Sequence, residues 1–163
     1  MNNKKLFDFL DSYNFIEDVS GKTIINLLKS VEMMRFIYNS LFADHGISES
    51  KFYILLLLSY SEEGMSLSEI GDKMFVTRAN MTGLIDRMGK EGLVEKKSNP
   101  KDRRSSIAYL TDKGRKLFEN IRGKHIDFSR QMTSGLNVEE KEQLNKLLEK
   151  LQYDIVKTFS EEV

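Results

Sequence analysis

The chain has 163 residues, with 25 lysines and arginines balanced by 25 aspartates and glutamates. A neutral total gives no general reason to expect a nucleic-acid partner, since nucleic-acid-binding domains usually carry a basic excess. The absence of cysteine excludes disulfides, thiolate metal sites and thiol redox sensing. Only His45 and His125 could contribute imidazole, so we predict no catalytic residue, no metal and no cofactor, and therefore no hydrolase or transferase.

The apolar segments are short. The longest uninterrupted one, Phe52 to Leu58, has seven residues, whereas a membrane-spanning helix needs about 18. Asp8 and Asp11 interrupt the apolar residues that a secretion signal would need near the N-terminus. We therefore expect a soluble cytoplasmic protein without a membrane partner.

The first half of the chain is patterned as helices. Apolar residues recur at helical spacing from Gly21, and Gly46 is a suitable stop for that helix. Ser48 can cap a second helix that runs to about Ser61. The segment Ser66-Leu67-Ser68-Glu69 has the form of a capping box, and a short helix through Met74 follows it.

A second short helix and a hairpin come next. Thr77 is suited to cap a helix that buries Met81, Leu84, Ile85 and Met88 and stops at Gly92. Leu93–Lys97 and Ser105–Leu110 read as two strands around a polar turn that contains Pro100. A short helix, a tight turn, a second helix and a hairpin together predict a winged helix-turn-helix.

Two longer helices complete the pattern. Thr111 caps the first, which Gly135 ends, and Asn137 with Glu140 can cap the second. The predicted fold class is mainly α (α+β), a winged helix-turn-helix with additional N- and C-terminal helices.

The neutral total hides an uneven distribution of charge. Residues 1–65 carry 6 basic and 9 acidic side chains, residues 66–116 carry 12 and 7, and residues 117–163 carry 7 and 9. The module with the helix-turn-helix pattern is therefore basic, and its neighbours are acidic. A solvated charged hairpin would explain the basic wing alone, but the wing adjoins a helix-turn-helix, so a local phosphate-binding surface is favoured.

The second helix of the motif has small residues on its outer face. On a helical wheel with Met81 buried, Ala79 and Gly83 point outward, and a helix-interior glycine costs about 1 kcal/mol relative to alanine. Close approach to a groove floor is one explanation, and simple surface filling is the other. In the first case Asn80 and Thr82 can reach base edges, while Thr77 and Arg78 reach phosphates.

These motifs resemble a known family. Leu67-Ser68-Glu69-Ile70-Gly71 and the segment from Val76 to Met88 look like the helix-turn-helix of the MarR family of bacterial transcription regulators. Gly92–Lys96, Asp102-Arg103-Arg104 and Leu110–Gly114 are similar to its wing and to the start of the following helix. The resemblance is close from about Gly46 to Leu117. Gly89 departs from it, because the family commonly has a longer side chain there.

The resemblance implies a homodimer that binds double-stranded DNA. Residues 1–46 and 117–163 would form a helical dimerisation region, and residues 47–116 the DNA-binding domain. The implied DNA contacts lie on the recognition helix (Thr77, Arg78, Ala79, Asn80, Thr82, Gly83 and Arg87) and on the wing (Lys101, Asp102, Arg103 and Arg104). Arg104 would enter the minor groove with its guanidinium held by Asp102, and Arg103 would contact phosphate. Asp86 and Arg87 match a pair that ties the recognition helix to neighbouring structure.

The resemblance also implies a small aromatic or lipophilic effector, bound between the dimerisation helices and the winged module. Met34, Tyr38, Phe42, His45 and Tyr60 could line such a pocket, although methionine and aromatic residues in this pattern more often form a packed core. The expected mechanism is a repressor that binds a pseudo-palindromic operator and loses affinity when the effector binds. The alternative is a helical protein-interaction module with a vestigial winged fold.

Overall fold

The computed structural model describes residues 8–9, 11–100 and 105–160. Its elements in chain order are α1 (Val19–Asp44), α2 (Glu49–Ser59), β1 (Met65–Ser66), α3 (Leu67–Met74), α4 (Arg78–Lys90), β2 (Val94–Ser98), β3 (Ser106–Leu110), α5 (Asp112–Met132) and α6 (Val138–Phe159). This order confirms the predicted class, a mainly helical chain with a winged helix-turn-helix. None of the helices in the described ranges is long and apolar enough to cross a membrane.

Most helices begin at the residues that the sequence indicates. The side chains of Ser48, Ser66, Thr77 and Asn137 each accept a hydrogen bond from a backbone N–H in the first turn of the helix that follows. Thr111 does the same for α5, where it accepts from the N–H of Gly114 at 3.0 Å. These bonds satisfy amides that would otherwise have no partner within the helix. The predicted N-caps are therefore confirmed.

The turn between α3 and α4 is tight. Phe75 adopts a left-handed conformation with φ of 53°, and the N–H of Val76 donates to the carbonyl oxygen of Gly71 at 2.9 Å. A Cβ on Gly71 would lie 2.9 Å from the carbonyl oxygen of Val76. The turn therefore requires glycine at residue 71, and this close approach packs α3 against α4.

The wing contains one strand more than the sequence predicts. The sheet is antiparallel with the order β1-β3-β2, and β2 pairs with β3 from Val94↔Leu110 to Ser98↔Ser106. Both predicted strands are present, each beginning one residue later than expected. The unpredicted strand β1 has two residues, paired as Met65↔Ala108 and Ser66↔Ile107. Two residues are too few to show an alternation of polar and apolar side chains, so the sequence pattern does not indicate this strand. Only its pairing with β3 defines it.

The chain divides into two compact units, Met1–His125 and Ile126–Val163. The first has a core of side chains that are less than 2% exposed: Phe42, Phe52, Phe118, Ile54, Leu55, Leu58, Ile70, Met81, Ile85, Met88 and Ile121. The second unit contains α6, which has no buried residue. The core of the first unit thus includes residues of the helix-turn-helix, and the buried face of α4 packs into it.

Candidate nucleic-acid interface

Helix α4 presents one face to the core and the opposite face to solvent. Met81, Ile85 and Met88 are fully buried, as the sequence pattern predicts, whereas Leu84, also predicted on this face, is half-buried. Thr77, Arg78, Ala79, Asn80 and Arg87, which the sequence selects as DNA contacts, are all exposed. The buried stripe thus fixes the rotation of α4, and the candidate contacts lie on its outer side.

Thr82 and Gly83 are half-buried at the next turn of α4. The Thr82 hydroxyl donates to the carbonyl oxygen of Arg78 at 3.0 Å, so its oxygen can serve a further partner only as an acceptor. A Cβ on Gly83 would meet only the Arg87 Nη1 atom, at an ordinary 3.6 Å. Packing within the chain therefore does not require glycine at residue 83.

An ion pair joins the recognition helix to the wing. The Lys96 ammonium on β2 donates to the Asp86 carboxylate on α4. Both side chains remain partly exposed, so the pair contributes little to the stability of the fold. The expectation that Asp86 ties the recognition helix to neighbouring structure is confirmed. Arg87, the other member of the predicted pair, is exposed.

The described part of the wing ends just before its tip. The N–H of Asn99 donates to the carbonyl oxygen of Ser105 at 3.1 Å and extends the hairpin beyond the last paired residues of the ladder. Lys101, Asp102, Arg103 and Arg104 lie outside the described residues. On β2, Lys97 pairs with Glu95 at 2.9 Å, and this hydrogen bond raises the pKa of Lys97. Lys97 also lies over the ring of Tyr109, 5.1 Å from its centroid.

A polar cavity of about 180 Å³ lies where α3, α4 and the wing meet. Its polar lining consists of Ser68, Arg78, Thr82, Lys96, Ser105 and Ser106. The sequence analysis selects Arg78 and Thr82 but misses the other four. Alternation along β2 could have shown that Lys96 and Lys97 face opposite sides of the sheet. No local pattern indicates that Ser68 joins them.

The residues selected for an effector pocket have different surroundings. Phe42 belongs to the core, and the Tyr38 ring stacks 4.7 Å from His125 and 5.8 Å from Phe42. His45 is the C-terminal cap of α1, with its Nε2 atom 3.2 Å from the Lys124 ammonium. Met34 and Tyr60 are exposed, Tyr60 by 76%. The structure thus brings Tyr38 and Phe42 together and leaves Met34 and Tyr60 at the surface.

His125 completes this aromatic cluster. Its ring also stacks on Phe52, with centroids 4.8 Å apart. Burial lowers the pKa of His125, because desolvation disfavours the imidazolium form. At neutral pH the ring is therefore an uncharged packing group. Within the described ranges, no three His, Cys, Asp or Glu side chains are grouped so that they could hold a metal ion.

A second cleft, of about 280 Å³, lies between α2 and α3. It is lined by Tyr53, Leu56, Leu57, Lys73 and Met74, none of which the sequence analysis selects. The pKa of Tyr53 is raised, first by burial and then by the charge of Glu49. Tyr53, Leu56 and Leu57 belong to the continuous apolar run Phe52–Leu58. Because every residue of this run is apolar, the sequence pattern does not separate cleft-lining residues from core residues.

Comparison with known proteins assigns the chain to a family. The sequence model of the MarR family matches residues 47–106, which include α2, the helix-turn-helix and most of the wing. The HTH-type transcriptional regulator MhqR of Bacillus subtilis is 30% identical over 132 residues, or 81% of this chain and 90% of MhqR. The chain belongs to the MarR family. The family consists of transcriptional regulators rather than enzymes, and this MarR-family chain is a DNA-binding transcriptional regulator.

Two further comparisons extend over most of the chain. The HTH-type transcriptional repressor YetL of Bacillus subtilis is 28% identical over 146 residues, covering 89% of this chain and 87% of YetL. A mutant MarR protein from Escherichia coli, solved in complex with operator DNA, shares the fold with a TM-score of 0.73 and 23% identity, over 86% of this chain and 99% of that one. The MarR fold therefore extends beyond the winged module to the outer helices.

Proposed function

We propose that the protein is a homodimeric, ligand-responsive repressor that binds a pseudo-palindromic operator in the cytoplasm. The observation that carries this proposal is the outer face of α4, which is exposed and built from small and polar residues. This face belongs to residues 66–116, which have 12 basic and 7 acidic side chains. The name of the relative YetL supports the role of a repressor.

The recognition helix would enter the major groove by this face. Ala79 and Gly83 would let the helix backbone approach the groove floor. This approach would explain why a glycine stands inside the helix at residue 83, since packing within the chain does not require it. Asn80 is suited to adenine, and Thr82 offers an acceptor and a methyl group to base edges. Thr77, Arg78 and Arg87 would lie near phosphates, where a hydroxyl and two guanidinium groups can donate.

The wing would reach the adjacent minor groove. This part of the proposal rests on the family resemblance of Lys101, Asp102, Arg103 and Arg104. Arg104 would insert into the groove with Asp102 holding its guanidinium, and Lys101 and Arg103 would contact the backbone. A narrow minor groove concentrates negative potential, which favours an inserted arginine.

Dimerisation would use residues 1–46 and 117–163. On α1, Ile24, Leu28 and Val31 are each about half exposed, and α6 likewise exposes Leu144 and Leu147. Apolar side chains that recur on one face of a helix indicate a protein interface. Two copies joined by a two-fold axis would place their recognition helices about 34–36 Å apart, which matches one turn of DNA.

An effector would act by favouring a different spacing of the two recognition helices. We place its site near Tyr38, whose ring stacks on His125 between α1 and α5, with Met34, Phe42, His45 and Tyr60 as the other proposed residues. Phe42 is fully buried, so it would form the floor of such a site. A compound of this kind would lower operator affinity and would not abolish the dimer.

The test is fluorescence anisotropy with duplexes from the DNA upstream of the protein's own gene and with fragments selected from the source genome. We expect saturable, salt-sensitive binding of two protomers to one selected site, at least about 10³-fold tighter than to mixed-sequence DNA. If no genomic fragment binds in a salt-sensitive way, the proposal is wrong. In that case the vestigial protein-interaction module is the better interpretation.

A further inference from the structure

The polar cavity between α3, α4 and the wing has the composition of an anion site. Two of its six polar lining residues are cations, Arg78 on α4 and Lys96 on β2. The other four carry hydroxyl groups, of which that of Thr82 already donates its proton to the Arg78 carbonyl oxygen, so the hydroxyl donors for an anion are among the three serines. No acidic side chain is among its lining residues in the described ranges. A phosphodiester offers only acceptors and one negative charge, so ammonium, guanidinium and hydroxyl donors match it.

Lys96 is held in place at the edge of this cavity. Its ammonium contacts the Asp86 carboxylate, which leaves the other ammonium protons for a second acceptor. The neighbouring Lys97 is tied to Glu95 and Tyr109 instead, and it does not line the cavity. Adjacent strand residues alternate between the two faces, so one of two consecutive lysines is directed at the cavity.

The position of the cavity suits the DNA backbone. In the proposed complex α4 occupies the major groove and the wing occupies the adjacent minor groove. The sugar-phosphate strand that separates these two grooves must then cross the space between helix and wing. The cavity lies in that space, because its lining comes from both α4 and the wing strands.

We propose that this cavity binds one backbone phosphate of the strand that crosses between the two grooves. The inference rests on the proposed function and assigns DNA-binding roles to Ser68, Lys96, Ser105 and Ser106. Arg78 and Lys96 come from different elements, so a phosphate bound to both fixes the wing relative to the recognition helix. The site sets the register of the protein on the duplex without reading sequence.

The test compares Lys96→Gln with Lys97→Gln, two variants with the same charge change on adjacent residues of β2. Each is titrated against the selected operator duplex and a mixed-sequence duplex over a range of potassium chloride concentrations. We expect Lys96→Gln to weaken both complexes by the same factor and to reduce the salt slope by about one for each bound protomer. Lys97→Gln should keep the wild-type slope. Equal slopes for the two variants would overturn the proposal.

Asp86→Asn separates phosphate binding from loss of the ion pair. This variant breaks the same pair but keeps the Lys96 ammonium, so we expect an unchanged salt slope and unchanged or tighter binding. If Asp86→Asn instead reproduces the losses of Lys96→Gln, the lysine acts only through the ion pair and the phosphate site is wrong. Failure of the wild type to bind any duplex would contradict the proposed function, whereas failure of Lys96→Gln alone to change the slope would contradict only the cavity.

Discussion

Gly114 determines how closely the start of α5 approaches the wing. A Cβ at this residue would lie 2.9 Å from Leu110 Cδ1 and closer still to the carbonyl oxygen of Leu93. A backbone oxygen cannot rotate away as a long side chain can. The Thr111 hydroxyl holds the same junction together, since it lies 2.7 Å from the Gly92 carbonyl oxygen. An added methyl group must therefore displace α5 from the strands.

Gly114→Ala should reduce the free energy of unfolding by about 1–3 kcal/mol because it overpacks this junction. Gly123→Ala is the matched control in the same helix, since a Cβ there would meet no atom within 4 Å. Alanine at residue 123 should instead stabilise the protein by about 0.5–1 kcal/mol through helix propensity. Urea unfolding measures both changes. Stabilisation by both substitutions would show that the junction has room for a side chain.

At the scale of single elements, the sequence predicts features formed by neighbouring residues, such as helix caps. It does not predict features formed by segments that are far apart in the chain. The caps at Ser48, Thr77 and Asn137 depend on hydrogen bonds that span three residues, so the sequence pattern contains the whole interaction. Strand β1 and the choice of Lys96 as the partner of Asp86 depend on segments that meet only after folding, although the family resemblance does indicate that Asp86 ties the recognition helix to neighbouring structure. The outer face of α4 was found because helical periodicity defines it. The sequence does not indicate the polar cavity, because residues of four separate elements, α3, α4, β2 and β3, line it.

The capping box of α3 is an element-scale feature that can be tested. The N–H of Glu69 donates to the Ser66 hydroxyl oxygen at 3.2 Å, and the N–H of Ser66 donates to the Glu69 carboxylate at 2.9 Å. The hydrogen bonds from the Ser66 side chain and backbone lower the pKa of Glu69. This carboxylate therefore stabilises the fold above its ordinary pKa of 4.5, and that contribution is lost as the pH falls through the lowered value.

Ser66→Ala should lower the free energy of unfolding by about 1 kcal/mol at neutral pH. The difference from the wild type should narrow as acid protonates Glu69. Ser68→Ala is the control, because Ser68 is an exposed residue two positions later that does not cap the helix. Ser68→Ala should leave thermal stability unchanged and should weaken DNA binding, because Ser68 lines the proposed phosphate cavity. Equal destabilisation by the two substitutions, measured by thermal unfolding, would argue against the capping box.

At the scale of the whole molecule, positive and negative charges are concentrated in different segments of the chain, and this favours contact of the basic segment with DNA. The net charge is zero, but residues 66–116 carry an excess of five positive charges and the segments on either side of them are acidic. Physiological salt screens charges beyond about 8 Å, so a phosphate next to the basic module interacts mainly with the charges of that module. The acidic segments are repelled from the duplex. The net charge of the chain is therefore a poor guide to DNA binding. The distribution of charge along the chain favours binding through residues 66–116.

The apolar residues on α6 lead to a test of the dimer. Leu147 is 58% exposed, and a carboxylate there would be buried without a partner in an interface, which is strongly unfavourable. Leu147→Glu should therefore shift the protein from twice 18.9 kDa toward 18.9 kDa in sedimentation. Operator affinity should fall more than affinity for mixed-sequence DNA, since only the operator requires two linked half-sites. Asn145→Glu adds the same charge about 200° away around the helix and should stay dimeric. A wild type that is a folded monomer at concentrations that saturate the operator would overturn the dimer.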